Sequence, residues 1–406
     1  MAPQSRTTGS AGFPAAADEV DVIVVGGGVV GAASAYWLAR AGVQRVVLVE
    51  RDDLAGGSSG KPLGGVRAVF SQQANVELAL RSREFYRTFT ERTGRDIGWR
   101  NLGYLFALRT VADVTAYEAS VELQNSLGVR SRMVSPRQAH ALSPYLDPDR
   151  LRAGVWSPDD GIVRPRDVVR GLGAAAAGLG VQVVTGAEVV GLDAVGGERA
   201  AVTLASGHRF TAQAVVCAAG AWSARLGAMV GVDLPVVPRR RQIVVGSPRR
   251  RPPGPAAGVV PFTIDQSTTA YVHSGPGDSL VLGWADPGQP DGHDRTVTDD
   301  WHDGLREALR QFAPALAGID LTDGWTGWAG LYELTPDCNA LVGQTHAPGF
   351  RFLYATGFSG HGLLQAPAAG ECVRDLYLDR DPVVDTAAFA ADRFARPAAR
   401  TEIGII

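Results

Sequence analysis

A glycine motif near the N-terminus constrains the fold of this chain more than any other feature. The segment V-D-V-I-V-V, which begins at Val20, is typical of a buried strand. It leads through Gly26, Gly28 and Gly31 into the helix-like segment A-A-S-A-Y-W-L-A-R-A-G. In this G-x-G-x-x-G spacing the first glycine allows a tight turn, the second lets a pyrophosphate approach the backbone, and the third lets the helix pack closely on the strand. The pattern predicts a Rossmann-like strand, turn and helix.

An acidic residue after the second predicted strand extends this motif. Arg45 to Val49 is expected to form that strand, and Glu50 follows it at the distance typical of dinucleotide-binding units. A carboxylate there accepts hydrogen bonds from ribose hydroxyls, and the helix N-terminus at Val29 and Val30 faces the phosphates. A glycine turn alone could be an ordinary strand-helix connection. The full constellation predicts dinucleotide binding.

Composition excludes several other classes of protein. The 406 residues, 45% of them hydrophobic, can bury one large core or two adjoining ones. The 39 basic and 42 acidic residues are mixed along the chain, so no nucleic-acid partner is expected. The three cysteines indicate neither a disulfide framework nor a metal site, and no segment is typical of a membrane span or a secretory signal. We expect a cytoplasmic protein with no metal and no membrane partner, and a disordered tail over residues 1–17.

A long loop of glycine and serine follows Glu50, where a nicotinamide-binding unit would normally enter another helix. It reads R-D-D-L-A-G-G-S-S-G-K-P-L-G-G-V-R from Arg51 to Arg67, and such a loop can wrap a cofactor. With the glycine motif and the acid, this loop resembles the D-amino-acid oxidase superfamily of FAD-dependent oxidoreductases, whose members include glycine oxidase and sarcosine oxidase. The resemblance implies FAD as the cofactor.

Three later segments resemble the same superfamily in the same order. Ala212 to Ser223, A-Q-A-V-V-C-A-A-G-A-W-S, resembles the strand and turn that return beneath the FAD. Trp328 to Gly343 resembles the segment before the last flavin-binding strand, and Tyr354 to Leu363, Y-A-T-G-F-S-G-H-G-L, resembles the segment whose backbone faces the flavin ring. A helix N-terminus there could stabilise the anionic flavin's N1 and O2 region, although a neutral glycine turn is the alternative.

The resemblance implies a set of cofactor-binding residues spread over these segments. They are Gly26, Gly28, Val29, Val30, Gly31, Glu50, Arg51, Ser58, Ser59, Gly60, Lys61, Gly64, Gly65, Val189, Ala219, Gly220, Trp222, Gly330, Gly357, Phe358, Ser359, Gly360, His361, Gly362 and Leu363.

The order of the motifs predicts an α/β fold with two interleaved domains. A Rossmann-like FAD-binding domain is expected over 18–95, 158–226 and 325–380, and an α+β substrate domain over 96–157 and 227–324, with a C-terminal tail over 381–406. Apolar and polar residues alternate in R-R-R-Q-I-V-V-G, T-A-Y-V-H-S-G and S-L-V-L-G-W, so the substrate domain is expected to contain a large, mostly antiparallel sheet. The segment R-R-R-P-P-G-P-A-A-G from Arg249 is expected to be an exposed loop.

Five side chains are candidates for the chemistry: Arg67, Lys61, Tyr271, Tyr332 and His361. Arg67 resembles a substrate-binding arginine of sarcosine oxidases, and a planar guanidinium suits a carboxylate, although most arginines are surface residues. Lys61, the only lysine in the chain, could stabilise reduced flavin or superoxide, or be a solvated loop residue. His361 could donate to the cofactor or only pack at a helix start.

The remaining candidates lie on predicted strands. Tyr271, Tyr332, His273 and Trp284 could face the flavin, but a core role is equally compatible with their sequence context. Arg241 and Gln242 could reach the substrate, although the R-R-R cluster is more typical of a solvated strand end.

Departures from the known subfamilies indicate the substrate. Gly330 occupies the position that resembles the covalent flavin cysteine of monomeric sarcosine oxidase, so the FAD is expected to be noncovalent. Leu364 replaces the lysine of that enzyme's G-F-S-G-H-G-x-K motif, and the arginines of glycine oxidase appear as Tyr332 and Gly360. Neither substrate pocket is copied. We expect a larger amine, such as an N-carboxymethyl amine.

The predicted reaction transfers a hydride from the substrate α-carbon to flavin N5. Hydrolysis of the resulting imine would release glyoxylate and an amine, and molecular oxygen would be reduced to hydrogen peroxide. The abundance of Ala, Gly and Arg indicates a GC-rich genome such as an actinobacterium's, which favours a role in secondary metabolism. Two alternatives share the motifs: a dehydrogenase with another electron acceptor, and a flavoprotein that acts as an assembly factor without catalysis.

Overall fold

The fold is given by a computed structural model that describes residues 18–247, 259–321, 324–346, 348–395 and 401–403. Within these ranges the chain forms two eight-stranded sheets and one two-stranded ribbon. The predicted tail over residues 1–17 and the predicted loop from Arg249 lie outside the described residues.

The first sheet has a parallel, Rossmann-like core. Its main path is, in spatial order, β17 (Leu341–Thr345), β18 (Arg351–Thr356), β11 (Arg209–Cys217), β1 (Asp18–Val25), β2 (Val46–Val49) and β8 (Gln182–Val184). All neighbouring pairs are parallel except β17 and β18. The hairpin of β9 (Val189–Val195) and β10 (Arg199–Leu204) pairs antiparallel with β11.

Both faces of strand β1 are covered, which explains its nearly continuous apolar sequence. Val22 and Val24 pack toward the helices of one face, whereas Ile23 and Val25 pack toward the hairpin on the other. The helices of the first face are α1 (Val29–Arg40), α6 (Pro165–Gly178) and α10 (Gly362–Tyr377), and α1 contacts the other two. The turn between β1 and α1 is thereby held inside the domain.

The second sheet is antiparallel apart from one pair. Its strands are, in spatial order, β16 (Trp325–Leu334), β12 (Val237–Gly246), β15 (Leu280–Trp284), β14 (Tyr271–Ser274), β13 (Phe262–Asp265), β4 (Tyr104–Leu108), β6 (Ala153–Ser157) and β5 (Arg132–Val134). Only β13 and β4 are parallel among the described pairs of this sheet. The predicted combination of a Rossmann-like unit with a mostly antiparallel sheet is confirmed.

Alternation along the strands gives the second sheet two different faces. On β4, Leu105 belongs to the core beneath the helices α5 (Pro136–Leu142), α8 (Asp300–Phe312) and α9 (Pro314–Ala317), whereas Tyr104 belongs to the opposite face. That opposite face is directed toward the first domain, and it forms one wall of the site described below.

The other elements connect these layers. They are the ribbon of β3 (Gly65–Val66) and β7 (Gly161–Ile162) and the helices α2 (Gln73–Arg87), α3 (Phe89–Thr93), α4 (Val111–Ser126) and α7 (Ser223–Ala228). Short 3-10 turns span Ser58–Gly60, Pro148–Arg150, Gly220–Trp222, Thr386–Phe389 and Ala391–Ala395. No helix within the described ranges is long and apolar enough to cross a membrane.

The C-terminal segment that was predicted as a tail is packed where the structure describes it. The Arg393 guanidinium donates to both carboxylate oxygens of Asp337 at 2.8 Å. The buried Glu402 carboxylate accepts from the Ser71 backbone N–H and from Asn75 Nδ2, each at 2.7 Å. Strand β16, within the range 325–380, pairs in the second sheet. The domain ranges themselves stay predictions.

Candidate cofactor and substrate site

Two adjoining cavities meet at the N-terminus of α1: the first lies at the ends of β1, β2 and β11, and the second lies between that helix and the second sheet. The empty space of the first is about 1010 Å³ and that of the second about 1110 Å³, and both figures include space open to solvent. They share the lining residues Val29, Val30, Ser58, Ser59 and Glu333. An extended molecule can therefore span both cavities past the N-terminus of α1. We call them the nucleotide cavity and the substrate cavity.

The turn at the nucleotide cavity requires glycine at two positions. Gly26 has φ +113°, and a Cβ there would lie 2.3 Å from the Ala218 carbonyl oxygen. A Cβ on Gly31 would lie 1.8 Å from the Gly26 carbonyl oxygen. These contacts are the tight turn and the close helix packing that the motif predicts.

Polar groups at this turn suit the phosphates and ribose of a dinucleotide. The backbone N–H of Val29 donates to Ser59 Oγ at 2.9 Å, so the flavin-loop serine lies at the helix N-terminus. Glu50 lines the same cavity, where its carboxylate accepts from the backbone N–H groups of Gly27 at 2.6 Å and Asp52 at 2.8 Å. The Arg51 guanidinium lies 4.2 Å from the Trp222 ring centroid. The residues present therefore fit a bound dinucleotide.

Most predicted cofactor-binding residues line one of the two cavities. In the nucleotide cavity these are Gly26, Gly28, Val29, Val30, Glu50, Arg51, Ser58, Ser59, Val189, Ala219, Gly220 and Trp222. In the substrate cavity, besides the shared residues, they are Lys61, Gly65, Gly330, Gly360, His361, Gly362 and Leu363.

A few predicted cofactor residues lie behind these walls: Gly31, Gly60, Gly64, Gly357, Phe358 and Ser359. The glycines among them shape the backbone. For example, Gly64 has φ +82° and a Cβ there would lie 1.9 Å from the Val163 carbonyl oxygen. Phe358 is part of the core, and Ser359 is fully buried, where its hydroxyl oxygen accepts from the Thr335 backbone N–H at 3.2 Å.

One face of the second sheet forms the wall of the substrate cavity. Arg241 on β12 lies opposite Gly330 on β16, and Ile243 lies opposite Trp328, so these residues share a face. The predicted residues Tyr271 and Tyr332 line the same cavity. Two aromatic residues that the sequence did not indicate, Tyr104 and Phe262, complete the wall with rings stacked at 4.5 Å.

The predicted carboxylate anchor Arg67 lies in this cavity but is already engaged. Its NH1 group donates to the Val69 carbonyl oxygen, and its NH2 group lies 3.1 Å from Nε2 of His361. The guanidinium also lies 4.4 Å from the Phe70 ring centroid. Because a guanidinium only donates, Nε2 accepts and the ring hydrogen is on Nδ1. Arg67 therefore orients His361.

A second arginine, Arg241, has fewer partners. Its NH1 group donates to the adjacent Arg240 carbonyl oxygen at 3.1 Å, and its buried Nε has no hydrogen-bond partner in the part of the chain that the structure describes. Among the described residues it forms no ion pair with a carboxylate, and its guanidinium carbon lies 5.2 Å from the Tyr332 ring centroid. Burial lowers the pKa of Arg241. A cation held this way is complementary to an anionic ligand.

Glu333 lines both cavities and was not among the predicted site residues. One of its carboxylate oxygens accepts from the Thr356 hydroxyl at 3.0 Å, and the backbone N–H groups of Gly357 and Phe358 also donate to it. Burial raises the pKa of Glu333 above its usual range. The carboxyl is thus held by its neighbours at the junction of the cavities.

Three weaker candidates from the predicted strands do not line the cavity. Gln242 accepts from the Thr298 backbone N–H at 2.8 Å, and the Trp284 ring packs where a Cβ on Gly304 of α8 would be. His273 is buried behind Phe262, and burial lowers the pKa of His273 to about 4. Arg241 and Gln242 are neighbours on β12, so their side chains point to opposite faces of the sheet. Arg241 lines the substrate cavity, whereas Gln242 does not.

His361 is expected to make stability depend on pH. Burial and the adjacent Arg67 hold the pKa of His361 well below its usual range, so the folded protein keeps the ring neutral. Below about pH 6.5 the unfolded chain binds a proton there that the folded chain does not, so stability falls as pH falls. At pH 5.5 this residue should contribute about 1.4 kcal/mol of destabilisation relative to neutral pH.

Denaturant unfolding of the cofactor-saturated protein at the two pH values measures this effect. His361→Gln keeps an acceptor for Arg67 and should remove that part of the pH dependence, whereas the exposed His346→Gln should leave it unchanged. Equal pH dependence in the wild type and His361→Gln would contradict the neutral assignment.

Comparisons with known proteins agree with this geometry. Residues 21–376 match the family described as FAD dependent oxidoreductase. The chain is 31% identical to FAD-dependent oxidoreductase domain-containing protein 1 of Bos taurus, over 88% of this chain and 81% of that protein. It is 29% identical to glycine oxidase of Geobacillus kaustophilus (strain HTA426), over 92% of this chain and 97% of that protein. The structure of L-proline dehydrogenase from P. horikoshii superimposes with a TM-score of 0.84 at 27% identity, covering 94% of this chain and 100% of that one.

Proposed function

This chain belongs to the FAD dependent oxidoreductase family, and on that premise we propose that it oxidises N-substituted glycines and holds their carboxylate at Arg241. The observation that carries the proposal is a partly buried guanidinium that faces the substrate cavity without a carboxylate partner among the described residues. An arginine in this state is costly to the fold unless an anion neutralises it. The carboxylate of an amino acid is such an anion.

The FAD cofactor would be held noncovalently by the residues that line the nucleotide cavity. Its phosphates would lie at the N-terminus of α1, and Glu50 would accept from its ribose. Neither cavity is lined by any of the three cysteines, so this site offers no thiol for a flavin bond. When bound, FAD supplies the acceptor for a hydride from the carbon beside the amine.

The protein groups of the substrate cavity would orient the amine rather than take its proton. Arg241 fixes the carboxylate, and the aromatic wall of Tyr104, Phe262 and Tyr271 limits water around the reacting carbon. His361 is neutral but its Nε2 accepts from Arg67. Glu333 is held by Thr356. The amine therefore reacts in its neutral form, which it reaches by losing its proton to solvent.

The overall reaction balances as a two-electron oxidation. The substrate loses a hydride from its α-carbon and a proton from its nitrogen, which gives an imine. Water hydrolyses the imine to glyoxylate and the amine of the N-substituent. Molecular oxygen, the proposed final acceptor, takes up two electrons and two protons and becomes hydrogen peroxide.

Anaerobic mixing with a panel of amines tests the reaction. N-substituted glycines are expected to bleach the visible flavin absorbance, and air should restore it with glyoxylate and peroxide in equal amounts. The matched control is the corresponding N-substituted β-alanine, in which the carboxylate lies one carbon farther from the amine. If no amine bleaches a flavin that dithionite reduces, the oxidation proposal fails, and a non-catalytic flavoprotein becomes the better account.

The same experiment distinguishes an oxidase from a dehydrogenase. An oxidase should reoxidise in air with one peroxide per glyoxylate. Slow reoxidation in air, together with fast reoxidation by a quinone, would replace oxygen with another acceptor and leave the substrate proposal unchanged.

A further inference from the structure

Lys61 and Arg241 both line the substrate cavity. Lys61 belongs to the loop after Glu50 and packs against the face of the second sheet that carries Arg241. Gly330 is opposite Arg241 in the β12–β16 register, and the Lys61 side chain covers that glycine. A Cβ on Gly330 would lie 3.0 Å from Lys61 Cβ and 3.5 Å from its Cγ. The Trp328 indole also donates to the Lys61 carbonyl oxygen at 2.7 Å, which fixes the backbone of the loop.

Because Gly330 has no side chain, it leaves space on the sheet for the Lys61 side chain. Residues 328, 330 and 332 alternate onto one face of β16, and the side chains of Trp328 and Tyr332 flank an open position at Gly330. Lys61 fills this position from the flavin loop. Arg241 and the stem of Lys61 thus lie at neighbouring positions of one cavity wall, although they belong to elements far apart in the sequence.

The charges around this pair do not neutralise it. Lys61 forms no ion pair within the described residues, and neither does Arg241. The other titratable residues of the cavity wall are a third cation, a neutral histidine, three tyrosines and one carboxyl: Arg67, His361, Tyr104, Tyr271, Tyr332 and Glu333. Glu333 is already bound by Thr356 and by the Gly357 and Phe358 backbone. Two cations that line one cavity without a carboxylate partner among the described residues favour a ligand with two negative charges.

We propose that Lys61 binds a second carboxylate, carried by the N-substituent of the substrate. The preferred substrates are then amines with two carboxylates, in which one N-carboxymethyl group is held by Arg241 and oxidised while the other acidic group is held by Lys61. This inference rests on the proposed function for its reacting carbon, and it leaves the atom and electron balance of that reaction unchanged.

Two unreactive ethers test the second carboxylate without turnover. Diglycolate carries two carboxymethyl groups on an ether oxygen, and methoxyacetate is its counterpart with a methyl group in place of one of these carboxymethyl groups. The wild-type holoprotein should bind diglycolate at least about tenfold more tightly than methoxyacetate, because one charge-assisted hydrogen bond is added. Isothermal calorimetry, or the change in the flavin spectrum, measures both affinities.

Three substitutions separate the effect of the Lys61 charge from the effect of its position. Lys61→Met should reduce the preference for diglycolate to about onefold, whereas Lys61→Arg should restore most of it because the charge is kept. Gly330→Ala should also reduce the preference, since its Cβ displaces the lysine without removing the charge. Circular dichroism and FAD content confirm that each variant is folded and loaded.

The single lysine allows direct observation of the contact. Reductive methylation with ¹³C-formaldehyde labels only Lys61 and the N-terminal amine, since the chain contains no other lysine. Diglycolate should shift the Lys61 methyl resonance, and methoxyacetate should not.

The outcomes distinguish this inference from the proposed function. If Lys61→Met slows reoxidation of the flavin by oxygen but leaves the diglycolate preference intact, the lysine serves oxygen and the inference is overturned. If no N-substituted glycine is oxidised but diglycolate still shifts the Lys61 resonance, the proposed reaction fails and the anionic subsite stands.

Discussion

Replacing Arg241 by methionine is expected to lower kcat/KM for an N-substituted glycine by about 100-fold, because two charge-assisted hydrogen bonds to the substrate carboxylate are lost. Methionine keeps much of the length and apolar volume of the arginine stem. The Tyr332 ring that lies beside the guanidinium should therefore stay in place. Steady-state kinetics and anaerobic flavin reduction measure the loss, and the variant should retain FAD.

The neighbouring arginine is a matched control. Arg240 lies on the other face of β12, where it pairs with Asp294 at 2.7 Å and donates to Gln289 at 3.0 Å. Arg240→Met removes the same charge from the same strand and should leave kcat/KM within about twofold of the wild type, because Arg240 does not line the substrate cavity.

The Arg67→Met variant tests the alternative carboxylate anchor. Arg67→Met should disturb His361, whose Nε2 it contacts, and so lower stability as well as activity. If Arg67→Met abolishes substrate binding in a stable, FAD-loaded protein while Arg241→Met binds substrate normally, the carboxylate anchor is Arg67, as the sequence resemblance predicts, and the assignment to Arg241 is wrong.

The cofactor half of the site was predictable because its information is local. Gly26, Gly31 and Glu50 belong to one strand-turn-helix-strand unit, and the spacing of such a unit is fixed by the pitch of the helix and the pleat of the strands. The glycine turn and the acid accordingly line one cavity in the structure, and their contact with the cofactor stays a prediction.

Which side chains face the substrate cavity depends on how the strands pair, and a local sequence pattern does not determine that register. Arg239 and Arg240 pair with Asp291 and Asp294, each at 2.7 Å, as a solvated strand end would. The third arginine of the same run, Arg241, faces the cavity because β16 presents Gly330 opposite it. The contact between Arg67 and His361 likewise joins residues far apart in the chain. Such pairings arise only when the two sheets are assembled.

The second large effect is expected at the glycine turn, where Gly31→Ala should weaken FAD binding by about 100-fold, as expected when a binding group is displaced by about 1 Å. A Cβ on Gly31 would lie 1.8 Å from the Gly26 carbonyl oxygen, which is a backbone atom of the turn itself. The turn or the start of α1 must move to relieve this overlap. The backbone N–H groups of that helix N-terminus would then no longer point at the phosphates.

Gly178→Ala is the matched control for this substitution, because it also changes a glycine of an α-helix to alanine. Gly178 lies in α6, and no atom lies within 4 Å of a Cβ built there. That variant should keep the wild-type affinity for FAD, and because Gly178 is the last residue of α6 it should gain less stability than the about 1 kcal/mol of an interior position. Fluorescence titration of the apoproteins with FAD compares the two variants, and circular dichroism shows whether each is folded. A folded Gly31→Ala protein that binds FAD as tightly as Gly178→Ala would mean that the close packing of α1 on the turn is not what positions the phosphates, and the helix N-terminus would lose its assigned role.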